Sequence, residues 1–306
     1  MREATEIRVQ GAIPVIQTPF LPSEELDFAS LQREVEFICD SKADGMVFPG
    51  YASEWWKLSD SEIMRAAEVI LKSRRKNCLV ILNVVAQSTI LARAQAKLFD
   101  SLGCDALMCL PPSVLPMSQR QLIDHLGAVM ETSSLPHILQ YAAGLTGVRF
   151  NPADLAELRK QFPHFCCIKV DFVPSGPQLT ALKSELGDRG FTYLVGYSGI
   201  QLLDSIRRGA DGLMGGAGHL REDIAMLQAL QSSDAQAGYK AFATMLPMLN
   251  FEMQSIDLLI AAHKRLLRAQ GIFAHDVCRS PCQPLDSFQE EELALHWKSI
   301  SRDQSV

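Results

Sequence analysis

Short runs of consecutive apolar residues alternate along this chain with longer stretches whose apolar positions recur every three or four residues. The short runs fall at 12–17, 45–49, 79–83, 105–110, 137–141, 165–170, 192–195 and 212–215. They are near-continuous rather than alternating, the pattern of parallel strands covered on both faces. Helical patterns lie between them, at 28–41, 59–73, 89–102, 118–131, 152–161, 174–186, 199–208 and 221–231. Two of these open with helix-start chemistry. Ser59 stands before Asp60 and Glu62, and Asn151 stands before Pro152, a capping residue followed by proline at the first helical position.

Eight strand–helix units in succession predict an α/β fold, a (β/α)8 or TIM barrel over residues 1–232. The rival doubly wound sheet would carry a Gly-x-Gly-x-x-Gly turn after its first strand, where this chain has Thr18, Pro19 and Phe20. Residues 233–306 show no strand pattern and read as a C-terminal helical extension packed on the barrel. Its helices are expected at 235–249, 251–270 and 290–300, punctuated by Pro247 and by the loop 279–284.

With 306 residues, 47% hydrophobic and 21% charged, the chain has ample material for a large core. Its 29 basic against 35 acidic side chains give a net charge of −6, the wrong sign for a protein that grips nucleic acid by its phosphates. No apolar stretch approaches the roughly 18 residues of a membrane span. Residues 1–10 mix Arg2, Glu3, Glu6 and Arg8 and lack the apolar centre of a secretion signal. A cytoplasmic location is therefore expected, with the eight cysteines reduced. The seven histidines are scattered without ligand spacing, so no metal is expected.

Sites in such barrels form at the C-terminal ends of the strands and in the loops that follow. That rule selects Tyr51, Ala52, Ser53 and Glu54 after the second strand, Gln140 and Tyr141 at the end of the fifth, and Lys169 with Asp171 at the sixth. It also selects Gly196 and Tyr197 after the seventh strand and Met214 and Gly215 at the eighth. Lys169 interrupts an apolar run formed by Cys166, Cys167, Ile168 and Val170. A buried ammonium must lose its proton or find a partner, and a neutral amine attacks carbonyl carbon, the basis of Schiff-base catalysis. The plainer alternative is that the strand ends there and the amine pairs with Asp171 or solvent. The run Gly215-Gly216-Ala217-Gly218 also has two readings: backbone N–H groups that bind phosphate or another anion, or a tight turn that needs positive φ.

Several of these residues form an ordered set. It comprises Gly11, Thr18-Pro19-Phe20, Gly50 with Glu54, Leu58 and Ser59, Leu135-Pro136 with Ile138-Leu139, Thr146-Gly147, Ile168-Lys169, Gly196, and Gly209-Ala210-Asp211-Gly212 before Gly215-Gly216. In order and spacing the set resembles the dihydrodipicolinate synthase/N-acetylneuraminate lyase family of pyruvate-dependent class I aldolases, over roughly residues 10–300. The resemblance implies a lyase or aldolase without a cofactor, in which Lys169 forms a Schiff base with pyruvate or a related α-keto acid. It implies carboxylate binding by Ala52 and Ser53 near Tyr51, with Gly196, Met214 and Gly215 on the substrate-binding surface. It also implies a homo-oligomer, a tetramer or a dimer. Glu54 is expected to hold the loop rather than to do chemistry.

The chain departs from the family where protons move. The family's strand-five tyrosine aligns with Gln140, which forms hydrogen bonds but cannot shuttle a proton. Tyr141 falls one place later and should point to the opposite face of the strand. Tyr51 and Ala52 replace two motif threonines, a tyrosine lent by a neighbouring subunit would fall near Pro112 and Ser113, and Leu145 replaces an arginine of the synthases. Lys169 is thus the expected nucleophile, with Gln140 and Tyr141 beside it in the expected catalytic site and Tyr141, Tyr51 or Tyr197 as candidates for proton handling. Leu145 points away from dihydrodipicolinate synthase activity itself and towards a less charged second substrate. A relay-deficient barrel that only binds a keto acid or sugar acid, and a phosphate-binding barrel, are the alternatives.

Overall fold

The computed structural model describes residues 7–301. The first six residues of the segment read as lacking a secretion signal, and the last five of the 233–306 extension, lie outside the described residues. Eight parallel strands make one sheet: β1 (Gly11–Ala12), β2 (Gly45–Phe48), β3 (Leu79–Val84), β4 (Ala106–Cys109), β5 (His137–Tyr141), β6 (Phe165–Val170), β7 (Thr192–Val195) and β8 (Gly212–Leu213). Their order is β1-β8-β7-β6-β5-β4-β3-β2, each strand beside its sequence neighbour apart from the β1–β8 junction. Just past β1, a bridge between Val15 and Val47 joins the remaining two edges. There the Ile16 N–H donates to the Val47 carbonyl and the Val47 N–H to the Pro14 carbonyl, each at 3.0 Å. The sheet therefore wraps into a barrel. The first strand is shorter than the 12–17 run suggests because Pro14 has no N–H to give to a ladder.

Helices follow the strands: α1 (Phe28–Asp40), α2 (Asp60–Ser73), α3 (Thr89–Leu102), α4 (Gln119–Met130), α5 (Ala143–Thr146), α6 (Pro152–Gln161), α7 (Ser175–Leu186), α8 (Leu202–Arg207) and α9 (Leu220–Gln231). Ser59 caps α2 through the Glu62 N–H, with the Glu62 carboxylate reaching back, and Asn151 caps α6 with Pro152 at its first turn. The helix expected from 199 starts three residues later. Tyr197, Ser198 and Gly199 hold φ of 48°, 49° and 81°, left-handed backbone that no α-helix contains.

The chain ends in α10 (Ala235–Glu252), α11 (Ile256–Ala269) and α12 (Ser287–Ile300). Pro247, expected to punctuate the extension, lies inside α10 instead. The break falls after Glu252, where Ser255 caps α11 by accepting from the Leu258 N–H at 3.1 Å. Side chains alternate along the strands, which divides the core in two. Ile13, Ile81, Ile138, Cys167 and Leu194 fill the barrel interior, while Ile168, Val170 and Tyr141 belong to the layer between strands and helices. Each fully buried side chain of this kind contributes about 1.5–3 kcal/mol. Among the described residues no helix is long and apolar enough to cross a membrane.

Candidate active site

Strand β6 sets the centre. Its two-residue period sends Cys167 and Lys169 inward and Ile168 and Val170 outward, so Lys169 arrives at the C-terminal mouth of the barrel. Its side chain is 6% exposed, and Nζ lies 3.1 Å from Oδ2 of Asp171. The pairing expected of a strand-end lysine is present, inside a cavity rather than in open solvent: both residues line a small opening with Tyr51, Ala52, Tyr197 and Gly215.

Gln140 on β5 is the register partner of Lys169. Its Nε2 donates to Asp171 Oδ2 at 3.1 Å, and its Oε1 accepts from Asn83 Nδ2 at 3.0 Å. Asn83 on β3 also donates to the Pro49 carbonyl at 2.9 Å, which fixes the direction of this chain of amides. The other carboxylate oxygen of Asp171 accepts from the Tyr197 N–H at 2.9 Å. Gly196 makes room for the arrangement, since a Cβ there would lie 2.1 Å from Asp171 Oδ1 and 3.0 Å from Lys169 Cε.

The segment after β2 forms two short 3-10 turns, Tyr51–Ser53 and Trp55–Lys57. Tyr51 and Ala52 face the cavity. Burial pushes the Tyr51 phenol up to about 12, with the neighbouring Asp171 and Tyr197 adding to the effect. Ser53 is placed differently from the expectation that it would bind substrate. Its hydroxyl donates to the Ile16 carbonyl and accepts from the Gly50 N–H at 2.9 Å, so its single proton is spent on the loop. Glu54 sits in left-handed backbone at φ 56° and is fully buried. Its carboxylate pairs with Lys57 at 2.8 Å and with Lys264 of α11, which fits the loop-holding role expected of it.

Tyr141 does not join the site. Its ring packs edge-on against Phe150 and Phe172 at 5.3 and 4.9 Å, and its hydroxyl accepts from the Phe150 N–H at 2.9 Å. It occupies the outer layer because it is one residue out of phase with Gln140. Tyr197 does reach the cavity, and burial followed by the Asp171 charge raises its phenol above the usual range. Leu145, Met214, Gly215 and Gly216 also line the cavity. So do Met253, at the end of α10, and Ile256 and Leu259 of α11. Sequence reasoning missed these three because it placed the helix break at residue 250, whereas it falls at 253–255 and brings Met253 and Ile256 to the cavity.

The glycine run after β8 is demanded by close packing rather than by positive φ. Gly215, Gly216 and Gly218 are absent from the positive-φ residues. A Cβ on Gly216 would lie 2.5 Å from His263 Cε1, and one on Gly218 would lie 2.7 Å from His263 Nδ1. Close approach of that imidazole is what demands glycine, and the Gly218 N–H that an anion would need donates to His263 Nδ1 at 2.7 Å.

His263 belongs to a fully buried cluster that the scattered histidines did not announce. Glu252 Oε2 lies 3.0 Å from Nε2 of His263 and 3.0 Å from Nε2 of His219, while His219 Nδ1 lies 3.1 Å from Asp223. Residues 33 and 11 positions apart thus meet. Two imidazoles and a carboxylate with donor atoms inside 4.8 Å are a plausible ligand set by type. The hydrogen bonds assign it another role. Because Nδ1 of His263 accepts from Gly218, its proton sits on Nε2, the very atom a metal would require bare. Burial disfavours a charge on His219, but the Asp223 and Glu252 carboxylates outweigh it and hold the imidazole protonated well above its ordinary range. The cluster is a proton-bearing clamp between the loop after β8 and the C-terminal helices.

The chain is thus a parallel (β/α)8 barrel with a buried lysine–carboxylate pair at its C-terminal mouth. The sequence profile of the Dihydrodipicolinate synthetase family matches residues 8–299, and the chain belongs to that family. It is 26% identical over 296 residues to L-2-keto-3-deoxyarabonate dehydratase of Azospirillum brasilense, covering 96% of this chain and 95% of the relative. It is also 26% identical over 311 residues to N-acetylneuraminate lyase of Escherichia fergusonii, covering 95% of this chain and 96% of that one. Its fold matches dihydrodipicolinate synthase from Rhodopseudomonas palustris with a TM-score of 0.88 at 23% identity, over 95% of this chain and 98% of the other. A family member from E. coli K12, solved in complex with pyruvate, matches with a TM-score of 0.88 at 20% identity, over 95% and 98% of the two chains.

Proposed function

We propose that the protein is a class I carbon–carbon lyase whose Lys169 condenses with pyruvate or a related α-keto acid. The observation that carries this reading is the position of Lys169: the amine faces the cavity at the end of β6, shielded from bulk water and 3.1 Å from a carboxylate. A lysine so placed can reach a carbonyl carbon, and the protonated imine it forms acts as an electron sink for the adjacent carbon. Tyr51 and Ala52 lie where the keto-acid carboxylate would be received. Among the described lining residues Lys169 is the one cation, and its charge, kept on the iminium, is matched by the carboxylate of the keto acid, so none is left to pair with an anionic second substrate. That favours an uncharged or apolar partner over the substrate of dihydrodipicolinate synthase proper.

One relative supports a second outcome of the same intermediate. The match to a keto-deoxy sugar acid dehydratase spans 96% of the chain, and the iminium on Lys169 can either release an aldehyde by C–C cleavage or lose its C3 proton to give an enamine that expels a hydroxyl. The binding-only alternative shares the pocket but not the covalent step, and assembly as a homo-oligomer is part of the proposal. Borohydride added with pyruvate should modify the enzyme irreversibly and abolish turnover. Lys169→Ala should escape modification. Protection by keto acid without covalent modification would favour the binding-only barrel.

A further inference from the structure

We propose that Asp171 is the proton-transfer group of the imine cycle, the role for which β5 turns no tyrosine into the barrel. The inference rests on the Schiff-base reading above and adds a catalytic residue to it. Asp171 lies two residues beyond Lys169, so the extended backbone turns both side chains to the same face. Three donors fix its carboxylate. Lys169 Nζ and Gln140 Nε2 both meet Oδ2 at 3.1 Å, and the Tyr197 N–H meets Oδ1 at 2.9 Å. Because Asn83 occupies Gln140 Oε1, the amide must present its nitrogen to Asp171. The bare Cα of Gly196 leaves the space the carboxylate fills.

The other candidates fall away on geometry. Tyr141 faces the outer layer. Gln140 carries no transferable proton. Tyr51 and Tyr197 line the cavity but neither has a hydrogen bond to Lys169, whereas Asp171 touches the reacting nitrogen. The titratable groups that face Asp171 are Lys169 from β6, Tyr51 from the turn after β2 and Tyr197 from the loop after β7.

The cycle balances with these groups alone. Asp171 takes a proton from the Lys169 ammonium, and the neutral amine attacks the keto carbon, so an N–C bond forms and the carbonyl π pair moves to oxygen. Asp171 returns its proton to that oxygen, a second nitrogen proton follows, and the oxygen leaves as water while the C=N bond forms. Of the three ammonium hydrogens, two leave in water and one stays on the iminium, which faces the Asp171 carboxylate. The carboxylate then removes a proton from C3, and the C–H electron pair becomes the enamine double bond. That step erases the neighbouring positive charge as the proton arrives, which favours the protonated carboxyl. The enamine carbon is then free to meet an aldehyde, or the reverse sequence runs in the cleavage direction.

The test measures two reactions of the full-length protein and of Asp171→Asn and Asp171→Glu. Borohydride with pyruvate traps the imine, and NMR in D2O follows exchange of the pyruvate C3 hydrogens. After long incubation the expected result is trapping on Lys169 in all three proteins, more slowly in Asp171→Asn because Asp171 also relays the imine-forming protons. Exchange per trapped imine in Asp171→Asn should be slowed at least about 100-fold, with the acid limb of its pH–rate profile lost. Asp171→Glu should recover part of the rate with the limb displaced. Wild-type exchange in Asp171→Asn, with trapping intact, overturns the role of Asp171 and leaves the imine standing. Folded variants that trap nothing even after long incubation would make Asp171 a holder of Lys169 and also overturn the inference. No trapping in the wild type overturns the Schiff-base reading itself.

Discussion

Glu54 and Lys264, separated by 210 positions in the chain, form an ion pair in which neither side chain is exposed. Lys264 also donates to the Val277 carbonyl at 3.0 Å and stands 4.4 Å over the ring of Phe20. The turn that presents Tyr51 and Ala52 is therefore hung from α11, and the C-terminal helices shape the site through this link as well as through Met253 and Ile256. Glu54 keeps Lys57 as a partner when Lys264 is removed, whereas removing Glu54 strands both buried ammonium groups. Glu54→Leu should therefore destabilise the fold by about 3–5 kcal/mol, more than Lys264→Met, and the double variant Glu54→Leu/Lys264→Met should cost less than the sum of the single ones. Urea unfolding of the four proteins checks this.

Gly196→Ala should act on the site with little effect on the fold. The added methyl would meet Asp171 Oδ1 at 2.1 Å and must push the carboxylate away from Lys169. We expect turnover to fall by at least about 10-fold, since a displacement near 1 Å in a catalytic group is costly. Thermal unfolding and steady-state rates, measured on the same preparation, separate the two effects.

Tyr141→Phe should do the opposite. It removes the hydroxyl that accepts from the Phe150 N–H at 2.9 Å, a loss of about 1 kcal/mol of stability. Turnover should remain within about 2-fold of wild type, because the group lies outside the barrel interior. A large loss of activity at unchanged stability would return Tyr141 to the catalytic set.

The His219 clamp gives the protein a stability that is lost towards alkaline pH. Burial opposes its charge, but Asp223 and Glu252 raise its pKa well above the ordinary 6.5. A raised folded-state value means the native protein binds this proton more tightly than the unfolded chain. Its contribution is therefore complete below about pH 6.5 and fades as pH rises through the folded-state value. His219→Gln should flatten that decline. Urea midpoints across the range from about pH 6 to pH 9 check it.

Much of this was legible in the sequence because periodicity is local. Apolar runs and capping residues placed the strands and helices, and the rule that barrel sites gather at strand ends singled out Lys169, Gln140 and Gly196. The two-residue period also assigned Tyr141 to the wrong face for chemistry. What escaped depends on contacts between distant segments. The Glu252–His263 clamp and the Glu54–Lys264 pair leave no trace in spacing, since each partner alone reads as an ordinary helix or loop residue. The left-handed stretch at Tyr197 and Ser198 has no glycine at those positions to betray it. The glycines after β8 were visible, but their reason, the ring of His263, lies 45 residues away.

The central claim is that Lys169 forms a covalent imine with an α-keto acid. Its most direct test is peptide-level mass spectrometry after incubation with pyruvate and sodium borohydride. The account predicts one reduced pyruvate per chain, located on Lys169 and absent from Lys169→Ala. An unmodified Lys169, or an adduct confined to exposed lysines such as Lys160, would contradict it.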